Sequence, residues 1–323
     1  METLLKIENL NLGFEIEDKF YRAVKDFSFE LKKGSMHALV GESGSGKTMS
    51  VMSIINLLPK NAKITSGRIL YYENENQPVN LLTLKEKELN KIRGKKIALV
   101  PQDPMTSLNP LYSIKEQMIE TILEHQDYTK KEAYEIALKN LSDVNIIEPE
   151  KKMKAYPYEL SGGIKQRVII AIALSLNPDI IIADEPTTAL DVTVQAQILH
   201  LLMNIKEKGK SVILISHDLG VVSSYTDFIS IMYMGRIVET AETKTLFKNP
   251  KHPYTKALIE ALPYKKDKRL KNIKGSPSPV TEIISGCEFH KRCDYKEKIC
   301  EDKIFNLCQQ QDGSKVACRL YNC

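Results

Sequence analysis

Residues Met36-His-Ala-Leu-Val40 lead into Gly41-Glu-Ser-Gly-Ser-Gly-Lys47-Thr48, and the apolar run Met49–Leu58 follows. These three pieces predict a strand, a tight loop and a helix, which is the order that the pattern G-x-x-x-x-G-K-[ST] requires. The glycines let the backbone curl so that its N–H groups point at phosphate oxygens, and the helix adds the positive end of its dipole. The sequence therefore predicts a nucleoside triphosphate site.

Two side chains of this loop have distinct predicted roles. Lys47 is expected to reach the terminal phosphates, and the Thr48 hydroxyl is expected to ligate Mg²⁺. A glycine-rich turn that matches by chance is disfavoured by the strand and helix on either side. The predicted nucleotide contacts of the loop are Gly41, Ser43, Gly44, Ser45, Gly46, Lys47, Thr48 and Met49.

A second polar element is Ile180-Ile-Ile-Ala-Asp184-Glu185-Pro186, an apolar strand that ends in two carboxylates. Because side chains alternate along a strand, the two acids cannot do the same job. We expect Asp184 to support the metal through its water shell, and Glu185 to orient or deprotonate the water that attacks the γ-phosphate. Considered alone, the pair could also be a solvated strand end.

The first 250 residues alternate β-branched runs with longer amphipathic stretches, which is typical of an α/β domain. Runs that are apolar on consecutive positions indicate a mostly parallel, buried sheet. The predicted strands are Leu4–Ile7, Phe27–Leu31, Met36–Val40, Gly67–Tyr71, Lys96–Val100, Ile180–Ala183, Ser211–Ser216 and Phe228–Tyr233. Between Asp103 and Pro178 the pattern predicts a helical insertion, with helices at Ile114–His125, Lys130–Leu141 and Lys165–Leu176.

Length and composition exclude several classes of protein. The 323 residues predict about two domains. The longest apolar run, Val168–Leu176, falls well short of the roughly 20 residues that cross a bilayer. The start METLLKIENL lacks the pattern of a secretory signal, so a cytosolic, reducing compartment is expected. A net charge of +5 is too small to indicate nucleic acid as a partner.

Further motifs lie between and beyond the two described so far. They are Gln102 in Val-Pro-Gln-Asp-Pro, Leu160-Ser-Gly-Gly163, Ala189-Leu-Asp191 and Ile215-Ser-His217-Asp218. The ordered set, from about Ile7 to Glu239, resembles the nucleotide-binding subunits of ABC transporters. The resemblance implies a P-loop NTPase fold with a mostly parallel sheet, an antiparallel β subdomain and the helical insertion. It also implies ATP hydrolysis between two such subunits arranged head to tail.

The resemblance assigns roles to these motifs. Gln102 is similar to the glutamine that touches Mg²⁺, and His217 to the histidine that holds the γ-phosphate and the catalytic water. Ser161, with Gly162 and Gly163, is similar to the segment that grips the ATP held by the opposing subunit. The resemblance thus implies the catalytic set Glu185, His217, Gln102 and Lys47, with Asp191 as a further nucleotide contact.

An aromatic residue upstream of the loop is expected to stack on adenine. Phe14 is the first candidate and Tyr21 the second, although an aromatic here could equally belong to the core. Ile164 stands where the motif usually has Gln, and with Lys165-Gln-Arg167 it looks like the peptide-importer branch of the family.

All six cysteines lie between Cys287 and Cys323. Cys287-x5-Cys293-x6-Cys300 and the later Cys318 look like the four-cysteine [4Fe-4S] motif of dipeptide and oligopeptide importer subunits. A zinc site that includes His290, or disulfides, are the alternatives. Cys308 and Cys323 match no position of the motif and are interpreted as free thiols or tail residues.

The C-terminal part otherwise predicts an extension and a linker. Pro250-Lys-His-Pro-Tyr254-Thr255 resembles the extension of peptide and nickel importer ATPases. The basic run Lys265–Lys274 is interpreted as a solvated linker, with attraction to anionic lipid as the alternative. The expected domains are an ABC ATPase at 1–250, the extension and linker at 251–285, and a small metal-binding domain at 286–323.

The resemblance also implies partners and a location. A related ATPase subunit would form a heterodimer with this chain, on two transmembrane permease subunits that an external peptide-binding protein feeds. The chain would lie at the cytoplasmic face of the membrane as a peripheral subunit. Two alternatives remain: a nickel-import ATPase, and a soluble ABC-type ATPase whose metal domain serves another function.

Overall fold

The computed structural model describes residues 2–73, 77–262 and 273–321 of a chain that divides into two units. The first unit comprises Met1–Thr83 and Ile215–Cys323, and the second comprises Leu84–Leu214. Of the basic run Lys265–Lys274, only Ile273 and Lys274 belong to the described residues.

Strands and helices alternate along the chain, as the sequence predicts. The strands are β1 (Thr3–Ile16), β2 (Lys19–Lys32), β3 (Met36–Val40), β4 (Ala62–Tyr71), β5 (Val79–Asn80), β6 (Ile97–Val100), β7 (Ile180–Asp184), β8 (Ser211–Ser216), β9 (Phe228–Tyr233), β10 (Arg236–Glu242), β11 (Cys308–Gln309) and β12 (Lys315–Val316). The helices are α1 (Lys47–Met52), α2 (Glu86–Ile92), α3 (Pro104–Ser107), α4 (Ile114–His125), α5 (Lys130–Asp143), α6 (Pro149–Lys154), α7 (Gly162–Leu174), α8 (Val192–Glu207), α9 (Leu219–Val222), α10 (Thr243–Lys248), α11 (Pro253–Glu260) and α12 (Ile299–Asp302).

The predicted strand Leu4–Ile7 is only the start of β1, which forms a long hairpin with β2. The two strands join at Glu17 and Asp18, whose φ angles are 48° and 59°. Two positive φ angles are typical of a type I′ turn, whose twist suits a hairpin. Because Glu17 stands where Asn or Asp is usual, the turn gave no sequence signal.

An antiparallel sheet lies in the first unit, in the order β2-β1-β4-β5. It is the antiparallel β subdomain that the resemblance implies. Its inward side chains are apolar and fully covered, for example Leu5, Leu12 and Ile69. Burial of such side chains contributes about 1.5–3 kcal/mol each.

The first unit also contains a run of mixed strands. β3 pairs parallel with β9, and β10 lies antiparallel on the other side of β9. β12 pairs with β10, and β11 with β12. Every residue of β3 is buried, as expected for a strand covered on both faces. The cysteine-bearing segment therefore belongs to the first unit and adds two strands to its sheet, instead of forming a separate domain.

The second unit contains the predicted helical insertion. Helices α3 to α7 lie in sequence between β6 and β7, which pair parallel. Two of the helices begin with reciprocal capping boxes, in which Ser113 pairs with Glu116 and Thr129 with Glu132. Such boxes satisfy backbone N–H groups at the helix start and fix where the helix begins.

The described helices are also informative about membranes. None of them combines the length with the apolar character that a bilayer crossing needs.

Candidate functional site

The phosphate loop lies between β3 and α1, where the sequence predicts it. Gly44 and Gly46 have φ angles of +77° and +98°, a region that glycine adopts without strain. At Gly46 a Cβ atom would also lie 2.8 Å from the carbonyl oxygen of Ala23. Strand β2 therefore packs directly against the loop, and only glycine fits at this contact.

Lys47 is buried within the curl of the loop. Its Nζ donates hydrogen bonds to the carbonyl oxygens of Gly41 and Glu42, at 2.9 and 3.0 Å. Thr48 and Met49 follow in the first turn of α1 and are half-buried. The cation and the backbone of the predicted nucleotide contacts are thus gathered on one short segment.

The two serines of the loop differ in their surroundings. Ser43 is exposed, whereas Ser45 Oγ is buried and has no hydrogen-bond partner among the described residues. A buried hydroxyl without a partner is destabilising by about 1–3 kcal/mol. The hydroxyl of Ser45 is thus a polar group without a hydrogen-bond partner among the described residues, next to the backbone that is predicted to bind phosphate.

The two candidates for adenine stacking are neighbours on the hairpin. Phe14 on β1 is paired with Tyr21 on β2, so the two side chains lie on the same face. Both are half-buried. The hairpin therefore offers two aromatic rings together, and the assignment of Phe14 before Tyr21 stays a prediction.

In the second unit, Glu185 follows directly after β7. Asp184, the last residue of the strand, is buried, and Glu185 has a φ of +43°. A left-handed conformation is uncommon for a residue other than glycine and is found at functional sites. This backbone conformation ends the regular alternation of side chains after Asp184. The carboxylates of Asp184 and Glu185 therefore have different surroundings.

Two donors hold the Glu185 carboxylate. Gln102 Nε2 and Thr188 Oγ1 each lie 3.1 Å from Glu185 Oε2. The structure thus brings Gln102, predicted as a Mg²⁺ ligand, into contact with the predicted base. Sequence reasoning missed Thr188, whose only signal is its hydroxyl three residues after Glu185.

The motif at Ser161 forms the start of α7. Ser161 occupies the N-cap position, is exposed, and does not use its side chain as a cap. A Cβ on Gly163 would lie 2.7 Å from Val194 Cγ1 on α8, whereas one on Gly162 would meet nothing closer than 3.4 Å. An exposed hydroxyl at a helix N-terminus suits a phosphate, as predicted for Ser161.

Asp191 and His217 lie at the ends of other elements. Asp191 caps α8, and its Oδ1 accepts the Val194 N–H at 3.0 Å. His217 is exposed and follows β8 in the first unit. The structure thus gives Asp191 a structural contact, while its predicted role at the nucleotide stays untested.

The C-terminal extension folds around a buried carboxylate on β10. Glu239 accepts the backbone N–H groups of Lys251 and His252, both at 2.8 Å. His252 in turn caps α11, because its Nδ1 accepts the Tyr254 N–H at 3.1 Å. Burial raises the pKa of Glu239 and lowers the pKa of His252 to about 3. Sequence reasoning missed Glu239, although an acid within the apolar strand pattern Ile-Val-Glu was a possible signal.

Comparison with known proteins decides the family. Residues 24–188 match the family model described as ABC transporter. The chain belongs to the ABC transporter family. Residues 238–300 match the model described as Oligopeptide/dipeptide transporter, C-terminal region.

This ABC protein is similar to curated proteins along nearly its whole length. It is 42% identical to the dipeptide transport ATP-binding protein DppD of Bacillus subtilis, over 99% of this chain and 95% of that one. It is 41% identical to the oligopeptide transport ATP-binding protein OppD of Escherichia coli, over 93% and 88% of the two chains. These names do not favour nickel import or a soluble ATPase.

A solved structure supports the fold. A dimeric ATP-binding cassette in a post-hydrolysis state, bound to ADP and Pi, has a TM-score of 0.65 at 30% identity. The match covers 74% of this chain and 99% of that one. The chain is therefore an ABC-type ATPase with a P-loop fold, as the sequence predicts.

In this ATPase the four predicted cysteine ligands surround one cavity. All four are free thiols, and burial raises the pKa of Cys287 to about 12. Burial also raises the pKa of Cys293 and Cys318. Among the residues that line the cavity are Cys287, Cys293, Cys300, Cys318, His252, Phe289, His290 and Phe305.

Backbone N–H groups point at three of these sulfurs. Cys293 Sγ accepts the N–H of Tyr295 at 3.4 Å, and backbone N–H groups of Phe289 and Leu320 do the same for Cys287 and Cys318. In each pair the donor follows its cysteine by two residues. Such bonds favour the thiolate, the form that binds a metal.

Within the three described ranges, no group of three or more His, Cys, Asp or Glu side chains is arranged to hold a metal ion. Cys308 is disulfide-bonded, so its interpretation as a free thiol was wrong. Cys323 lies outside the described residues.

Proposed function

We propose that this ATPase powers the import of dipeptides or oligopeptides through an ABC transporter. The observation that carries the proposal is the match of residues 238–300 to the oligopeptide/dipeptide transporter C-terminal region, in a chain whose relatives are named for peptide transport. Within that segment, Lys251 and His252 are tied to β10 through Glu239, so the residues after β10 are an integral part of the ATPase fold.

The proposed chemistry assigns roles in each unit separately. In the first unit, the loop and Lys47 bind the phosphates, Thr48 offers a hydroxyl to Mg²⁺, and His217 contacts the γ-phosphate and the water. In the second unit, Asp184 and Gln102 offer oxygens of the kind that Mg²⁺ prefers. Bound Mg²⁺ would neutralise charge on the phosphates.

Glu185 is proposed as the base that activates water. The bonds from Gln102 and Thr188 fix Glu185 Oε2, which orients the carboxylate. A general base must be held within hydrogen-bond reach of the proton that it removes. The Ser161 segment would then close the site on the ATP of a second subunit, which the dimeric relative bound to ADP and Pi supports.

The proposed role in peptide import also implies partner proteins. We infer a related ATPase subunit, two permease subunits and an external peptide-binding protein, with this chain at the cytoplasmic face of the membrane. Several apolar side chains are exposed within the helical part of the second unit and suit a protein partner. They are Met105, Leu111, Tyr112 and Tyr158.

Replacement of Glu185 tests the assignment. Glu185→Gln is expected to bind ATP like the wild type and to lower ATP hydrolysis by about 10²-fold or more, because the base is lost. Glu207→Gln, at the exposed end of α8, is the matched control and should hydrolyse ATP normally. Appreciable hydrolysis by Glu185→Gln would exclude Glu185 as the base.

Transport is tested in cells that lack the chain. Uptake of labelled dipeptide or oligopeptide should be restored by the wild type and not by Glu185→Gln. Uptake of nickel, if it were restored instead, would overturn the peptide assignment.

We further propose that Cys287, Cys293, Cys300 and Cys318 hold a [4Fe-4S] cluster. Thiolates around one tetrahedral zinc ion would lie about 3.8 Å apart, given Zn–S bonds of about 2.3 Å. Each iron of a cubane takes one thiolate, so the four sulfurs spread around a larger volume. All four thiols line one cavity, and the five- and six-residue gaps between the first three cysteines differ from the tight C-x2-C turns of most zinc sites, which favours the cluster. The bound cluster would supply folding energy to this segment.

Metal analysis distinguishes these cases. Protein purified without oxygen should contain iron and sulfide and should absorb visible light. Cys293→Ser should lose the iron, the sulfide and the absorbance. Lys298→Gln, an exposed residue of the same segment outside the proposed ligand set, is the control and should retain them. Zinc without iron would support the alternative site with His290.

A further inference from the structure

The second residue of the phosphate loop is held by the cysteine-bearing segment. Arg292 Nη1 lies 2.7 Å from Glu42 Oε2, and Nη2 lies 3.0 Å from Oε1. This is a bidentate pair, in which the planar guanidinium meets both carboxylate oxygens. The Arg292 side chain is 7% exposed, so water competes little for the pair.

Arg292 is itself fixed by its surroundings. Its Nε donates to the carbonyl oxygen of Lys274 at 2.8 Å, and Nη2 donates to that of Gly275 at 3.2 Å. Nη1 also donates to Tyr233 Oη at 3.3 Å. These hydrogen bonds to Lys274, Gly275 and Tyr233 fix the orientation of the guanidinium toward Glu42.

The backbone of Glu42 is held by the C-terminal extension. Its N–H donates to Tyr254 Oη at 3.2 Å. Tyr254 is fully buried, and its ring packs on Tyr233 and Phe289 with centroids 4.7 and 5.3 Å away. Both the side chain and the backbone of this loop residue are therefore anchored by residues C-terminal to β10.

The negative charge of the Glu42 carboxylate is unfavourable for ATP binding, because Glu42 lies in the phosphate loop. Its own carbonyl oxygen lies 3.0 Å from Lys47 Nζ, the cation predicted to reach the phosphates. ATP carries several negative charges, and a free carboxylate on the same short loop would repel them. The pair with Arg292 neutralises that charge and turns it toward the cysteine-bearing segment.

We propose that Arg292 is a positioning residue of the ATP site, which acts by holding and neutralising Glu42 in the phosphate loop. It does not touch the nucleotide. The role requires neither a metal at the cysteines nor a particular transported substrate, so it goes beyond the proposed function and can fail independently of it.

The test measures binding of the Mg²⁺ complex of adenylyl imidodiphosphate to the full chain by calorimetry. Arg292→Gln should weaken binding about tenfold at low salt, because Glu42 is then unpaired. Adding Glu42→Gln to this variant should restore affinity to within about twofold, and high salt should reduce the deficit of the single variant. Lys291→Gln is the matched control, since Lys291 is an exposed neighbouring cation that pairs with Glu282.

Two results would overturn the proposal. One is an Arg292→Gln variant that binds the analogue like the wild type. The other is weakened binding that Glu42→Gln does not restore, since that pattern means that Arg292 only stabilises its own segment. If Arg292→Gln does not fold, Arg292→Met carries the same comparison, because methionine keeps an apolar stem of similar length and removes the charge that pairs with Glu42.

Discussion

Gly163 on α7 packs closely against α8, and its lack of a side chain is a packing requirement. Gly163→Ala would place a Cβ 2.7 Å from Val194 Cγ1, on a β-branched side chain with little freedom to move. We expect a loss of about 1–3 kcal/mol in the free energy of unfolding, measured by urea denaturation.

Gly162→Ala is the matched control for that change. The nearest atom would lie at 3.4 Å, which is ordinary contact. Alanine is favoured over glycine in a helix by up to about 1 kcal/mol, so this variant should be neutral or slightly stabilising. Equal destabilisation by both variants would contradict the packing argument.

At this same scale, motif residues were easier to predict than their contacts. Lys47 and Glu185 are recognisable because phosphate chemistry demands certain residue types at fixed spacing. The bond from Gln102 to Glu185 joins residues 83 positions apart, and no local pattern encodes it. The left-handed backbone at Glu185 was likewise hidden, because glutamate rarely adopts it.

At the scale of elements, Glu239 on β10 joins the strand to the start of α11. Glutamine offers one acceptor oxygen and an NH₂ group, so Glu239→Gln would set a donor against one of the two backbone N–H groups. We expect a destabilisation of about 1–3 kcal/mol near pH 4.5, measured by urea denaturation. Glu242→Gln, at the exposed end of the same strand, is the control.

The pH dependence of this effect has a definite sign. Burial raises the pKa of Glu239 above its ordinary value of 4.5. A carboxyl with a raised pKa stabilises the fold below its unfolded pKa, and this contribution is lost as the pH rises through the folded value. Glutamine does not titrate, so the deficit of the variant should shrink from pH 4.5 toward neutrality. A deficit that is constant with pH would contradict this account.

Elements were predicted best where one pattern governs the whole segment. The bounds of α4, β3, β8 and β9 agree with prediction, because each is a continuous periodic or apolar run. Strands β10 to β12 were missed, because β10 carries a buried acid and the last two strands are only two residues long. Their pairing depends on partners distant in sequence.

At the scale of the molecule, the cysteine-bearing segment is built into the first unit. Glu288, next to Cys287, accepts from Arg236 Nε at 2.9 Å and from Lys25 Nζ at 3.4 Å. The Glu288 side chain is 8% exposed, so these bonds lie away from water. The sequence predicted an appended domain because the cysteines form a separate block, whereas the ion pairs that join them to β2 and β10 are dispersed.

The pairing of β12 with β10 also covers one edge of β10. Ala317 N–H donates to the Val238 carbonyl oxygen at 2.9 Å, and the register continues through Glu239 and Thr240. Without residues 286–321, this side of β10 would present unpaired N–H and C=O groups, a template on which other chains can pair. By covering this edge, the tail would reduce aggregation through strand pairing. An ATPase shortened before residue 286 would need charged or proline substitutions on β10 to remain soluble.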